Sequence, residues 1–207
     1  MNIAFFDFDG TVTTGDSFLP FIRATVPQYR ILAGTLYLSP LITGYRLGWV
    51  PARRMRESIA WFAFRGTPRA KVLEQGRRYA EQVLPGRVRP QAQERIEWHQ
   101  AQGDRVVVVS ASLDAYLVPW CRAQGVELIC SELEVRGGTC TGGYIGGDCS
   151  GPEKARRILA RYDLRQYPQV FAYGDTDEDR EMLGLASHRY LRWQQLSPSG
   201  PFAHPAA

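Results

Sequence analysis

Near its start the chain has a four-residue apolar run, Ile3-Ala-Phe-Phe6, that stops at Asp7-Phe-Asp9-Gly-Thr11. A short apolar run ended at once by acids and a glycine suits a strand buried on both faces of a parallel sheet, with Asp7 delivered to its C-terminal end. Gly10 supplies the freedom for the chain to bend there. Two further runs behave alike: Arg105–Val109, ending in Ser110-Ala111-Ser112, and Gln169–Tyr173, ending in Gly174-Asp175. Three such strands, each followed by polar residues and a helix-compatible stretch, predict an α/β fold with a doubly wound parallel sheet. Ligands of such sheets bind beyond the carboxyl ends of the strands, so the three polar tips are expected to share one crevice.

The remaining sequence sets the frame for that sheet. A chain of 207 residues, 44% hydrophobic and 22% charged, is long enough for one core with an insertion and excludes disorder throughout. Residues 16–85 carry Pro20, Pro27, Pro40 and Pro51, many arginines and aromatics, and no convincing strand. They are expected to form a helical insertion between core segments 1–15 and 86–207. Helical spacing returns at Arg87–Gln102 and Leu113–Gln124. Glu132–Val135 and Thr139–Ile145 read as a hairpin about a glycine turn, and the Gly142–Gly147 run as hairpin glycines rather than a phosphate loop. The tail from Ser197 is expected to fray.

A net charge of +4 admits anionic partners, whether phosphorylated metabolite, acidic membrane surface or nucleic acid, without choosing among them. Four cysteines with no Cys-x-x-Cys pair, and three scattered histidines, argue against a zinc site. The N-terminus lacks a basic segment leading into a long apolar one, which predicts a reducing, cytoplasmic setting with free thiols.

Chemistry concentrates at the strand ends. Ser110 ends an apolar strand, Lys154 opens a predicted helix at Gly151-Pro-Glu-Lys154, and Gly174-Asp175-Thr-Asp-Glu-Asp179 follows the last strong strand. Lys154 is conspicuous, being one of two lysines against 23 arginines. Each residue alone has a plain reading: Ser110 as a helix cap, Lys154 as a solvated helix residue, Asp9 as a loop-bonding acid. Acid, hydroxyl, amine and acid around one crevice are what a phosphate dianion with a divalent metal needs. Asp7 and Asp175 offer hard oxygens to Mg²⁺, Ser110 can donate to a phosphoryl oxygen, and Lys154 can neutralise charge.

With Asp7-Phe-Asp-Gly-Thr11, Val109-Ser110, Lys154 and Gly-Asp175-Thr-Asp-Glu-Asp179 in this order over residues 3–183, the chain resembles the haloacid dehalogenase (HAD) superfamily of aspartate-nucleophile phosphatases. The insertion looks like the helical C1-type cap of the branch that contains phosphoserine phosphatase. The Thr13-Thr-Gly-Asp16-Ser-Phe opening and Gly151-Pro-Glu-Lys154 resemble the subfamily IB hydrolases, which include the phosphatidylglycerophosphatase C type.

The resemblance implies that Asp7 attacks phosphorus and becomes an aspartyl-phosphate, while Asp9 protonates the leaving alcohol and later deprotonates water. It implies that Ser110 and Ala111 meet the phosphate beside Lys154. It also implies Mg²⁺ at Asp7, Asp175 and the main chain of Asp9, with Asp179 orienting metal-bound water behind them. Asp9 favours phosphate esters, since relatives that cleave carbon–halogen bonds need no acid at that place. Asp177 is expected to be solvated and Glu178 to lend support.

Substrate clues conflict. Asp16 stands where phosphoserine phosphatases place an acid that meets an amino group, yet it also reads as a helix N-cap. Ile31–Tyr45 carries no charge and is bracketed by Arg30 and Arg46; it is too short to cross a bilayer and suits either an anionic lipid surface or packing within the insertion or a dimer. Arg53 and Arg56, with Arg54, are candidates to hold a substrate carboxylate or second phosphate. These features predict a Mg²⁺-dependent phosphomonoesterase acting on a small, phosphoserine-like metabolite, with a lipid phosphatase for phosphatidylglycerophosphate or a non-catalytic phosphate- or lipid-binding module as alternatives. No nucleic-acid partner is expected, and the oligomeric state is left open.

Overall fold

A computed structural model of the chain describes residues 1–197; the rest of the Pro-rich tail, expected to fray, lies outside the described residues. Among the described residues, eight strands run β1 (Ile3–Phe6), β2 (Arg105–Leu113), β3 (Glu127–Ser131), β4 (Leu133–Arg136), β5 (Thr139–Tyr144), β6 (Val170–Gly174), β7 (His188–Leu191) and β8 (Gln194–Gln195). Six form one sheet in the order β3-β2-β1-β6-β7-β8, parallel except at β8, while β4 and β5 pair as a separate antiparallel hairpin. The predicted α/β sheet is therefore present. Successive strands leave β1 first to one side and then to the other, which makes β1 the point where a ligand crevice opens.

Period-two alternation divides the core. Ala4, Phe6, Val106, Val108, Phe171 and Tyr173 enter one apolar cluster, and Ile3, Phe5, Val107, Val109, Val170 and Ala172 the other. Two residue-long steps along each strand thus fill both faces, as the unbroken apolar runs require. One face is covered by α6 (Pro90–Ala101) and α7 (Asp114–Gln124), the other by α8 (Pro152–Arg161) and α9 (Arg180–Gly184).

The strand predicted at 105–109 continues to Leu113, so Ser110, Ala111 and Ser112 lie within β2 rather than in a loop after it. The register against β3 shifts between Ser110 and Leu113, an irregularity that redirects the side chains there. Between β1 and β2 the chain forms α1 (Phe18–Thr25), α2 (Gln28–Tyr37), α3 (Ser39–Arg46), α4 (Ala52–Phe64) and α5 (Arg69–Gln82). None is long and apolar enough to cross a membrane.

The β4–β5 turn is made by Gly137 and Gly138, with φ of 56° and 77°, as a two-residue hairpin turn demands. This hairpin packs on α4. Gly66 N–H donates to the Cys140 carbonyl at 3.0 Å, Cys140 N–H to Thr67 at 2.9 Å, and Arg69 N–H to Gly138 at 2.9 Å. A side chain at Gly142 would sit 2.7 Å from the Trp61 Cα, so glycine is what lets strand and helix touch.

Candidate active site

Asp7 leaves β1 with its N–H donating to the Tyr173 carbonyl at 2.9 Å, which carries the β1–β6 ladder one step past the strand. Lys154 reaches it from the first turn of α8. That helix starts at Pro152 after Gly151, whose φ of 55° turns the chain and whose N–H donates to the Glu178 carbonyl. Lys154 Nζ lies 2.6 Å from Asp7 Oδ1 and 2.6 Å from Asp179 Oδ1, with all three side chains buried. Burial works against the ammonium, but the two carboxylates outweigh it and hold its pKa above the usual lysine range. Asp7 is pushed well up by burial and then by the Asp179 charge, with Lys154 opposing.

Asp179 is held by the loop it closes. Its Oδ2 accepts from the Asp175 N–H at 3.0 Å and the Thr176 N–H at 3.2 Å, completing a reciprocal cap with Thr176. A Cβ on Gly174 would fall 2.5 Å from the Asp179 Cβ, so only glycine permits this approach. Both Asp179 oxygens are engaged, whereas Asp7 and Asp175 each keep an oxygen without a hydrogen bond among the described residues.

Asp175 makes no side-chain hydrogen bond or ion pair among the described residues, and its pKa is raised by burial and by Asp179. One oxygen each from Asp7, Asp175 and Asp179 lies within 4.8 Å of the others. Three carboxylates against one lysine leave negative charge uncompensated, and the set is all hard oxygen, which fits a divalent cation such as Mg²⁺. In the same turn, Thr11 Oγ1 is buried without a hydrogen-bond partner among the described residues, and Gly10, at φ 86°, passes so close that a Cβ would sit 2.1 Å from Asp175 Oδ2.

Asp9 does not place its carboxylate in this cluster. Oδ1 accepts from the Ser17 N–H at 2.7 Å and Oδ2 from the Ser112 hydroxyl, so both oxygens are engaged outside the three-acid cluster. Burial raises its pKa to about 6 against the two serine hydrogen bonds. The Ser17 hydroxyl is 3.0 Å from that of Tyr116, which extends the network into α7. Ser110 is buried, its Oγ accepting from Ser112 N–H at 3.0 Å, and Ala111 lies between them in the irregular stretch of β2.

The candidates between residues 16 and 56 divide. Asp16 accepts from Phe18 N–H at 3.2 Å and Leu19 N–H at 3.0 Å, so it does cap α1, and its charge also reaches Asp9. Arg56 departs from the expectation that it awaits substrate. It grips Asp148 with two nitrogens, at 2.8 and 3.1 Å, and Glu178 at 3.0 Å, because a half-buried guanidinium beside two acids is satisfied by them first. Arg53 is exposed and pairs with Glu57 at 3.1 Å. Glu178 is half-buried and pairs with Arg56, and Asp177 is exposed.

Ser112, Ser17, Tyr116 and Asp148 are the residues that sequence reasoning missed. Ser112 had a signal: strand periodicity sets it on the same face as Ser110. The others had none, since their roles depend on long-range packing.

The protein-family model described as haloacid dehalogenase-like hydrolase matches residues 4–184. Protein CicA of Caulobacter vibrioides (strain NA1000 / CB15N) is 32% identical over 200 residues, covering 90% of this chain and 84% of CicA. A histidinol-phosphatase of Neisseria meningitidis serogroup C (strain 8013) is 27% identical over 206 residues, covering 90% and 87%. In fold, the chain is similar to a phosphoserine phosphatase solved as a phospho-aspartyl intermediate analogue, with TM-score 0.61, 18% identity, and coverage of 92% of this chain and 85% of that one. The buried Lys154, held between Asp7 at the end of β1 and Asp179 beyond the end of β6, thus sits in a chain that belongs to the haloacid dehalogenase-like hydrolase family, with phosphatases among its relatives.

Proposed function

We propose that this protein is a Mg²⁺-dependent phosphomonoester hydrolase that works through transient phosphorylation of Asp7. The observation that carries the reading is Lys154 Nζ held 2.6 Å from both Asp7 and Asp179, which fixes the nucleophile in one rotamer with an oxygen left for phosphorus. Asp7 Oδ2 forms the new bond to phosphorus as the ester oxygen leaves. Asp9, held by Ser17 and Ser112, gives that oxygen a proton and later takes one from the water that cleaves the acyl-phosphate. Lys154 offsets charge as the two anions meet, and the Ser110 hydroxyl with the main chain of Ala111 donates to phosphoryl oxygens.

Asp7, Asp175 and the main chain of Asp9 would hold Mg²⁺, with Asp179 behind them. The ion would supply the further charge neutralisation that a carboxylate attacking a dianion requires. The substrate we favour is a small phosphorylated metabolite of the phosphoserine kind, consistent with the names of the phosphatase relatives and with Asp16 at the rim. Free buried thiols at Cys121, Cys130, Cys140 and Cys149 suit a reducing cytoplasmic setting. A second reading, hydrolysis of a lipid phosphate, is favoured by an apolar cavity of about 370 Å³ among α1–α4.

A panel of phosphorylated amino acids, sugars, nucleotides and lipids, assayed with and without Mg²⁺, tests the reaction and ranks the substrates. Acid-quenched turnover of labelled substrate should leave phosphate on the peptide that contains Asp7, and Asp7→Asn should lose at least about 10³-fold in rate. Label on another residue, or a rate indifferent to chelation, overturns the reading.

A further inference from the structure

From Ser17 to Arg56 the chain contains no Asp or Glu and six arginines. In the same stretch, large apolar side chains stand in solvent: Tyr29, Leu32 and Leu36 are 76%, 73% and 77% exposed, and Trp49 is 79% exposed. Tyr29, Leu32 and Leu36 fall at positions i, i+3 and i+7 of α2 and therefore share one face. The opposite face is the one that packs. A Cβ on Gly34 would sit 2.6 Å from Phe62, so α2 lies tightly on α4 and turns the tyrosine–leucine face outward. Arg23 and Arg46 are exposed, contribute to the lining of the apolar cavity among α1–α4, and form no ion pair among the described residues.

We propose that the outer face of α2, with the α3–Trp49 corner, is a docking surface for an anionic lipid bilayer. Exposed apolar side chains in a stretch that carries arginines and no acid are what an interfacial segment needs: the apolar chains enter the headgroup boundary and the arginines are drawn to lipid phosphates. Tyrosine and tryptophan suit that boundary because each has an apolar body and a polar tip. A second copy of this chain is a poor occupant. A two-fold contact places a patch against itself, and here it would set arginines against arginines with no acid in the stretch to pair them. The helices are too short to cross, so the protein lies on the surface. The inference does not depend on the substrate and stands apart from the proposed reaction.

The test is flotation of the full chain with phosphatidylcholine vesicles, with and without phosphatidylglycerol, alongside sedimentation velocity without lipid. Binding should require phosphatidylglycerol and weaken with added salt. Leu32→Glu with Leu36→Glu, and separately Arg23→Gln with Arg46→Gln, should each weaken it by about tenfold or more. The Leu32/Leu36 variant should keep its lipid-free rate on para-nitrophenyl phosphate, which shows that it has folded. Absence of vesicle binding, equal binding to neutral vesicles, or a dimer that these substitutions dissolve would overturn the proposal. Failure of vesicle binding with turnover intact would leave the proposed reaction standing, and vesicle binding without turnover would do the reverse.

Discussion

At the carboxyl ends of β1, β2 and β6 polar groups are largely buried and mostly engaged, whereas along α2 and the corner after α3 large apolar groups are exposed. The first region places Asp7, Asp9, Lys154 and Asp179 out of water and aims their hydrogen bonds at one another. The second leaves Tyr29, Leu32, Leu36 and Trp49 largely in water. Each arrangement is unfavourable in isolation, since buried charge and exposed apolar surface both raise the free energy of a lone folded chain. The contrast teaches where to look for what relieves each: a cation and a phosphoryl group at the strand ends, an apolar surface at the helices.

The sharpest way to break the contrast is Lys154→Met, which leaves Asp7 and Asp179 buried with no positive partner. Removal of one member of such a cluster costs about 3–5 kcal/mol, and turnover should vanish with it. Chemical denaturation that showed no loss would mean the acids find another counter-charge.

Gly10→Ala comes next, because the new methyl would meet Asp175 Oδ2 at 2.1 Å from a backbone held at φ 86°. A penalty of roughly 1–2 kcal/mol is expected from the backbone alone. A larger effect is expected on the Mg²⁺ concentration needed for half-maximal rate. An unchanged metal response would remove Asp175 from the ion's neighbourhood.

A pH series sharpens the comparison on the core side. His99 is buried, with Nδ1 2.9 Å from Asp104 and Nε2 3.0 Å from the Tyr173 hydroxyl. Burial lowers its pKa below 6.5, against the opposing hydrogen bond and charge of Asp104. The folded state therefore favours the neutral ring. Its contribution to stability is complete above about 6.5 and declines as the pH falls, because the unfolded chain takes the proton first. The melting-temperature advantage of the wild type over His99→Gln should shrink between about pH 7.5 and 5.5, where the reference histidine titrates. An advantage that grew instead would reverse the assignment.

The smallest effect belongs to the other region. Leu36→Ser should leave stability within about 0.5 kcal/mol, as surface changes do, while Phe6→Ala should cost about 3–5 kcal/mol. A substantial loss at Leu36 would mean that the side chain is covered in solution.

Much of the core was legible because its signals are local. Ile3–Phe6 and Val106–Val109 are apolar at every position, so a two-faced strand followed without tertiary knowledge. The acids at 7, 9 and 175 were marked by the abruptness with which those runs end. Lys154 was visible through its rarity. What escaped was set by distance: β3 and β7 are short and edged with polar residues. Arg56 gave no sign that Asp148, 92 positions away, would occupy it. Asp9 read as a proton donor and acceptor, but nothing local showed that Ser17 and Ser112 would hold its carboxylate, a fact that requires α1 to be in place.

The hairpin of β4 and β5 is stitched to the chain around Gly66–Arg69 by main-chain hydrogen bonds, although more than sixty positions separate the two in the sequence. Chimeras between this protein and its relatives should respect that seam. Exchanging only the stretch that precedes the second strand would graft foreign helices onto a native ribbon and unzip the join. A transplant that carries both segments together keeps its border intact, and such paired grafts are the natural unit for moving selectivity from one homologue to another.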